Sequence, residues 1–170
     1  MKRNILNPIA ILIFISLGSG CTTPGSIKPT DLKDFKSDAC SMFPEGTKEE
    51  KNLWCHCCLE HDKVYWKGGT SRERKEADNV LKKCVKKAGE EKIAQLMLTG
   101  VRVGGTPYLP SQFRWGYGWP YLRGYKDVSV EEQAMATLKM EEYEQSGGNA
   151  VCRVRVRYKK KEINHNIAWS

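Results

Sequence analysis

The sequence lacks an apolar run long enough to cross a lipid bilayer. Its most apolar stretch, Ile5 to Leu17, falls short of the roughly 20 residues that a membrane-spanning helix needs. It also lacks any recognisable nucleic-acid-binding motif, although 28 Lys and Arg against 20 Asp and Glu give a formal net charge of +8. The positive charge predicts attraction to an anionic membrane surface. Nucleic acid is the other partner that such charge suits, and the absence of a motif argues against it.

The first residues of the chain have the pattern of an export signal. Lys2 and Arg3 precede the apolar stretch, so we expect residues 1–20 to be a signal peptide. The following Leu-Gly-Ser-Gly-Cys, residues 17–21, is similar to a bacterial lipobox, in which the cysteine is lipidated. This predicts a lipoprotein anchored through Cys21 in the bacterial envelope, at the outer membrane, with plain secretion as the alternative.

The predicted mature chain divides into a tether and one domain. Residues 21–34 hold prolines, glycine and few apolar residues, which predicts a lipidated tether, and residues 35–170 form the domain. Apart from Cys21, six of the seven cysteines remain, and an even number in an exported domain predicts a disulfide framework. They are Cys40, Cys55, Cys57, Cys58, Cys84 and Cys152. A metal cluster at residues 55–58 is the alternative, although its spacing lacks the two-residue gap of zinc knuckles.

Apolar spacing and capping motifs predict a mainly α fold. We expect helices over residues 48–66, 70–87, 90–103 and 129–145. Two capping boxes, Thr70 with Glu73 and Ser129 with Glu132, mark the starts of the second and the last helix. Residues 38–88, with the first two helices, are the predicted core of the domain.

Two further segments do not have helical spacing. Residues 104–125 are rich in glycine, proline and aromatics, which predicts a long loop, either packed over the helices by its own rings or in contact with lipid. Residues 151–158 alternate between apolar and basic side chains, which predicts a short C-terminal β-strand or hairpin. Its arginine row is either a solvated strand face or a contact for acidic lipid head groups.

The first two helices are predicted to bring an imidazole and a carboxylate together. Position numbers of facing residues in antiparallel helices have a nearly constant sum, and this rule places Cys57 opposite Cys84 and His61 opposite Asp78. A general base and the acid that orients it need this arrangement. His56 and His165 have no such setting, and no chemical role is predicted for them.

The residues of this helix pair resemble a known family. Cys57-Cys58-Leu59-Glu60-His61-Asp62-Lys63-Val64-Tyr65 is similar to the Cys-Cys-x-x-His-Asp-x-Cys-Tyr signature of secreted phospholipase A2, in its microbial type. Ala77-Asp78 followed by Cys84 is similar to that family's second helix. The family's remaining signature cysteine and its partner correspond to Val64 and Ala77, so both ends of one bridge are missing together.

The resemblance implies a set of bridges and a catalytic site. The implied bridges are Cys57–Cys84 and Cys40–Cys58, which leaves Cys55 to pair with Cys152. The implied catalytic residues are His61, Asp78 and Tyr65. The implied calcium ligands are Asp62 and the backbone carbonyls of Ala39, Ser41 and Phe43.

The implied activity is calcium-dependent hydrolysis of the sn-2 acyl ester of phospholipids at a membrane surface. The alternative is a non-catalytic envelope lipoprotein that uses the same disulfide-stapled scaffold to bind lipid or a partner protein. The glycine-rich calcium loop of the animal enzymes is absent around residues 38–47, which favours the alternative. No catalytic side chain is visibly missing, which favours the enzyme.

Overall fold

A computed structural model describes residues 27–152 of the chain. Four α-helices, α1 Cys55–Lys67, α2 Ser71–Lys87, α3 Glu91–Gly104 and α4 Val130–Gln145, lie between two short 3-10 turns, Pro29–Asp31 and Gly148–Cys152. The predicted mainly helical fold is confirmed. Within the described range, none of the helices combines the length and the apolarity that crossing a bilayer requires. The predicted signal peptide, Cys21 and the first part of the tether lie outside that range.

The predicted C-terminal strand is not supported where it is described. Only its first two residues, Val151 and Cys152, fall inside the described range, and they belong to the last 3-10 turn. The Ala150 N–H donates to the Gly147 carbonyl at 2.9 Å, which tightens the chain into a turn. Gly147 has a φ of 80°, a conformation that suits glycine, so the chain turns where the strand was expected to begin. Residues 153–158 lie outside the described residues.

Helix α1 begins seven residues later than the sequence predicts, because Trp54 organises the preceding segment as turns. Its indole N–H donates to the Pro44 carbonyl at 2.6 Å, and its backbone N–H donates to Glu45 O at 3.0 Å. Gly46 permits the tight path, since a Cβ there would lie 1.9 Å from Glu50 O. Trp54 is only 1 % exposed, and its burial outweighs the helical preference of the residues before it.

Both predicted capping boxes are confirmed. The Thr70 hydroxyl accepts from Glu73 N, and the Ser129 hydroxyl accepts from Glu132 N, with the acidic side chain returning to the cap residue in each case. Two of the free N–H groups at each helix start are thereby satisfied. Helix α3 ends within one residue of its predicted limit, so the helix boundaries after residue 67 follow the sequence closely.

All three disulfide pairings are confirmed, and one of them sets the register of α1 against α2. The Cα–Cα distances are 5.0 Å for Cys40–Cys58, 5.5 Å for Cys55–Cys152 and 5.8 Å for Cys57–Cys84. The last bridge joins the start of α1 to the end of α2, which makes the two helices antiparallel. Helix α3 packs on α2 through a buried core of Leu81, Val85, Ala94 and Met97.

A second core lies on the other side of α1 and anchors α4. It is formed by the buried residues Leu32, Phe35, Leu59, Trp66, Trp119 and Ala136. At the start of α4, Arg123 donates two hydrogen bonds to Glu132, at 2.8 and 2.6 Å, and its guanidinium lies 4.1 Å from the Trp119 ring centroid. This buried ion pair fixes the end of the aromatic loop against α4.

The aromatic loop packs over the end of α1, as one of the two interpretations predicts. Trp115 and Trp119 are completely buried, and their indole N–H groups donate to Gly69 O and Lys67 O at 2.8 and 2.7 Å. Gly116 N also donates to Tyr65 O at 2.7 Å. The loop therefore supplies donors to carbonyls that the last turn of α1 leaves free.

Candidate active site

The antiparallel helix pair places His61 of α1 against Asp78 of α2. His61 Nε2 lies 3.1 Å from Asp78 Oδ1, and the imidazole is only 8 % exposed. The remaining ring nitrogen, Nδ1, makes no hydrogen bond to any residue between 27 and 152, and His61 lines a cavity between the helices and the aromatic loop. With Nε2–H donating to the carboxylate, Nδ1 is the nitrogen that can accept a proton from a molecule in the cavity.

Asp78 is completely buried and is held by three side chains. The Tyr65 hydroxyl donates to the same oxygen, Oδ1, at 2.6 Å. Burial, followed by the charge of Asp78, raises the pKa of Tyr65 far above its usual value, so its hydroxyl stays a donor. Arg102 Nε lies 2.7 Å from Asp78 Oδ2 without pointing its N–H along the contact, so this contact is an ion pair rather than a hydrogen bond.

The two arginines behind this pair were not predicted from the sequence. Arg74 of α2 donates to the Tyr65 hydroxyl at 3.1 Å and to the Tyr125 hydroxyl at 2.8 Å. Its other nitrogen donates to the carbonyls of Val101 and Arg102, each at 2.8 Å. One signal in the sequence could have indicated Arg102. It is a basic residue in the last turn of a helix with an apolar stripe, and an antiparallel register of α2 and α3 brings that turn to Asp78.

The cavity in front of His61 has a volume of about 780 Å³. Its wall is mainly apolar and comes from α1, α2, α3, the segment before α1 and the aromatic loop. Apolar members of this wall are Phe43, Leu81, Met97, Val101, Leu109 and Phe113. A pocket of this size with a mainly apolar lining is typical of a small-molecule binding site.

The rim of the cavity exposes apolar side chains. Met42 is 81 % exposed, Leu109 42 % and Phe113 38 %, and all three line the cavity. The buried tryptophans of the aromatic loop are not part of this rim. These three exposed side chains give the cavity an apolar edge.

Asp62 lies beside His61 on the same cavity wall. The Ser37 hydroxyl donates to Asp62 Oδ2 at 2.6 Å, and no basic side chain of residues 27–152 forms an ion pair with this carboxylate. Burial raises the pKa of Asp62 to about 7, against the hydrogen bond from Ser37, and the charge of Asp38 raises it further. A buried carboxylate without a counter-charge is a group that a bound cation would stabilise.

The segment before α1 offers further oxygen atoms that a metal ion could use as ligands. The carbonyls of Ala39, Ser41 and Phe43 accept no hydrogen bond from the described residues, and these residues line the cavity with Asp62. Ala39 and Ser41 adopt left-handed φ values of 63° and 50°, which are uncommon for residues other than glycine. Carboxylate and carbonyl oxygens are the ligands that Ca²⁺ prefers, so the residues present fit a calcium ion.

The cluster at residues 55–58 does not offer metal ligands of the thiolate type. Cys55, Cys57 and Cys58 each belong to a different disulfide. A cystine sulfur carries no negative charge for a metal, so these cysteines serve as crosslinks in this structure.

The site therefore combines an imidazole with a buried acid behind it, a half-buried carboxylate beside it and an apolar cavity in front. These groups come from α1, α2 and the segment before α1, and the bridges Cys40–Cys58 and Cys57–Cys84 hold those parts together. The chain matches no model of a protein family, no curated protein and no solved structure.

Proposed function

We propose that this chain hydrolyses the sn-2 acyl ester of phospholipids at a membrane surface, with calcium, as its resemblance to secreted phospholipase A2 implies. The observation that carries the proposal is the His61–Asp78 contact of 3.1 Å at the wall of an apolar cavity. An imidazole whose outer nitrogen faces the cavity, while its inner nitrogen is held by an acid, is the arrangement of a general base.

In this proposal His61 takes a proton from the attacking water. Nδ1 accepts the proton, directly or through a second water, while Asp78 Oδ1 holds the Nε2–H and stabilises the imidazolium as it forms. Tyr65 and Arg102 keep the carboxylate in place during this change. Because Asp78 is fully buried, its orientation does not depend on solvent.

Asp62 and the carbonyls of Ala39, Ser41 and Phe43 would hold the calcium ion. When bound there, the ion would polarise the ester carbonyl and stabilise the oxyanion. Ser37 orients the Asp62 carboxylate through its hydrogen bond of 2.6 Å.

The surroundings of the site suit a lipid surface. The exposed rim residues Met42, Leu109 and Phe113 would enter the head-group boundary, and the cavity behind them would receive an acyl chain. Removal of Lys2 and Arg3 with the predicted signal peptide lowers the formal net charge from +8 to +6, which still favours anionic membranes. Lipidation of Cys21 would keep the domain at the bacterial outer membrane, where its substrate lies.

The test is acyl release from mixed phospholipid vesicles, with calcium and with a chelator. We expect release by the oxidised protein in calcium only, and a loss of about 10³-fold in His61→Gln, because general-base catalysis contributes on the order of 10²–10⁴ in rate. His56→Gln is the matched control, since His56 is exposed, lies on the same helix and does not line the cavity.

Two results would contradict the mechanism: calcium-independent release, and release that His61→Gln leaves unchanged. Absence of release under every condition, from folded protein, would favour the non-catalytic lipoprotein. In that case vesicle binding without hydrolysis would be the activity to measure.

A further inference from the structure

His56, for which the sequence predicts no chemical role, contacts a disulfide bridge. Its Nε2 lies 3.5 Å from the Sγ of Cys57 and 3.5 Å from the Sγ of Cys84. The ring is exposed on the first turn of α1 and does not line the cavity described above. An Nε2–H placed between two bonded sulfurs can donate to whichever sulfur leaves when the bond breaks.

The other two bridges lack this arrangement. Cys40 and Cys58 are 5 % and 4 % exposed, and Cys55 is completely buried, whereas Cys84 and Cys152 are both half-buried. Among residues 27–152, no histidine ring contacts either of those bridges. The bridge Cys57–Cys84 therefore combines an approachable sulfur with a proton donor.

The charges around Cys84 also favour thiol chemistry. Four lysines lie within three positions of it on α2, Lys82, Lys83, Lys86 and Lys87. Of these, only Lys86 forms an ion pair within the described residues, with Glu91. Nearby positive charge favours the thiolate over the thiol, both for an incoming thiol and for the released cysteine. The other sulfur, of Cys57, lies in the first turn of α1, where the helix N-terminus stabilises negative charge.

We propose that Cys57–Cys84 is a thiol–disulfide exchange site for a dithiol reductant, with His56 as its proton donor. A thiolate of the dithiol attacks Cys84 Sγ and forms a mixed disulfide. The Cys57–Cys84 bond breaks, its electron pair goes to Cys57 Sγ, and that sulfur takes the Nε2 proton of the His56 imidazolium. The second thiol of the reagent gives its proton to the now neutral His56 ring, and its thiolate displaces Cys84 Sγ. Cys84 Sγ takes that proton from His56, and the reagent leaves as an intramolecular disulfide.

Opening this bridge removes the covalent link between α1 and α2 one helical turn from His61. Cys57 and His61 are four residues apart on α1, so the released sulfur lies on the same face as the imidazole. The remaining links between the two helices are non-covalent, chiefly those that His61 and Tyr65 make to Asp78. The proposal does not depend on the proposed hydrolase activity, because it concerns the bridge alone.

The test measures the opening of each bridge separately in the full oxidised chain. The protein is exposed to limiting dithiothreitol, thiols are trapped by alkylation at set times, and peptide mass spectrometry reports each bridge. We expect Cys57–Cys84 to open about tenfold faster than Cys55–Cys152, the matched internal control that also has one sulfur near the surface.

Substitution of His56 separates proton donation from mere exposure. We expect His56→Ala to slow the opening of Cys57–Cys84 about tenfold, to leave the other two bridges unchanged, and to regain speed when free imidazole is added. Unchanged rates at the other bridges also report that the variant is folded. Opening of Cys57–Cys84 at the wild-type rate in His56→Ala, or no faster than Cys55–Cys152 in the wild type, would overturn the proposal.

Discussion

At the scale of single residues, Asp78 depends on the cation behind it. Its Oδ1 contacts His61 and Tyr65, and its Oδ2 contacts Arg102. The side chain is fully buried. When the cation is removed, the desolvation penalty of the buried carboxylate remains and is no longer offset. We therefore expect Arg102→Gln to lower the free energy of unfolding by on the order of 2 kcal/mol in urea titrations, after discounting for the partial exposure of Arg102.

Two further variants show whether the loss of unfolding free energy in Arg102→Gln comes from the lost charge or from any substitution in this region. Arg102→Lys keeps a cation near Asp78 and is expected to recover part of the loss. Arg72→Gln removes an exposed arginine from α2 and is expected to change stability by less than about 0.5 kcal/mol. Equal losses in Arg102→Gln and Arg102→Lys would contradict an electrostatic role for Arg102.

Glu132 gives the fold a defined dependence on pH. Its two hydrogen bonds from Arg123 lower the pKa of its carboxyl to about 2, against burial, which raises it. Because the folded pKa lies below the usual 4.5, the stabilisation is fully present above pH 4.5 and is lost as the pH falls towards 2. We expect Glu132→Gln to cost about 3 kcal/mol at pH 7, and the wild-type advantage to shrink across that window.

The measurement is the difference in unfolding free energy between wild type and Glu132→Gln at a series of pH values. The difference, rather than either curve alone, isolates this carboxyl from others that titrate in acid. A difference that stays constant from pH 7 to pH 2.5 would show that the Arg123 contact does not lower the pKa of Glu132.

At the scale of elements, the sequence predicted the features that depend on residues close together in the chain or on their spacing. The capping boxes at Thr70 and Ser129 and the antiparallel register of α1 and α2 were visible because each depends on residue spacing alone. The start of α1 could not be predicted in this way, because the turns before it depend on the burial of Trp54 by distant parts of the chain. Arg102 was missed for the same reason, since its partner Asp78 lies on another helix.

The crossing of the aromatic loop over α1 depends on the absence of a side chain at residue 118. A Cβ on Gly118 would lie 2.6 Å from Trp66 Nε1 and 2.7 Å from a methyl carbon of Leu32. Since Gly118 N donates to Trp66 O and Gly118 O accepts from Lys33 N, the backbone cannot move away without losing hydrogen bonds. We expect Gly118→Ala to cost about 2–3 kcal/mol in thermal or urea unfolding.

Gly104→Ala is the matched control for that substitution. Gly104 is the last residue of α3, and a Cβ there would meet nothing within 4 Å. Alanine favours the helix more than glycine does, so we expect Gly104→Ala to be neutral or to stabilise by about 0.5–1 kcal/mol. A loss of similar size in both variants would mean that Gly118 is not under steric constraint.

At the scale of the whole molecule, two of the three disulfides join the segments that build the site. Cys40–Cys58 holds the segment containing Ala39 and Ser41 against α1, and Cys57–Cys84 holds α2 there. The pairings could be predicted because the resemblance supplied two of them. The burial of Trp115 and Trp119 could not be chosen over lipid contact from composition, because an aromatic ring suits both environments.

The proposed calcium site can be tested on the folded chain without a substrate. A ligand bound only by the folded state at about 100 times its dissociation constant adds about 2.7 kcal/mol of stability. In a domain of about 150 residues this raises the melting temperature by about 5–10 °C. We expect calcium to produce such a shift in the wild type and none in Asp62→Asn.

The pH dependence of that shift distinguishes Asp62 from an unrelated calcium site. Because burial raises the pKa of Asp62 to about 7, protons compete with the ion at pH 6 and hardly at pH 8, so the calcium shift is larger at pH 8. Without calcium the sign reverses: the raised pKa means that the wild type loses stability as the pH rises from about 4 to 7. Asp62→Asn has no such charge to bury and should melt higher than the wild type in chelator at pH 8. If the two proteins melt together there, or if Asp62→Asn keeps the calcium shift, then Asp62 is not the carboxylate that a calcium ion neutralises.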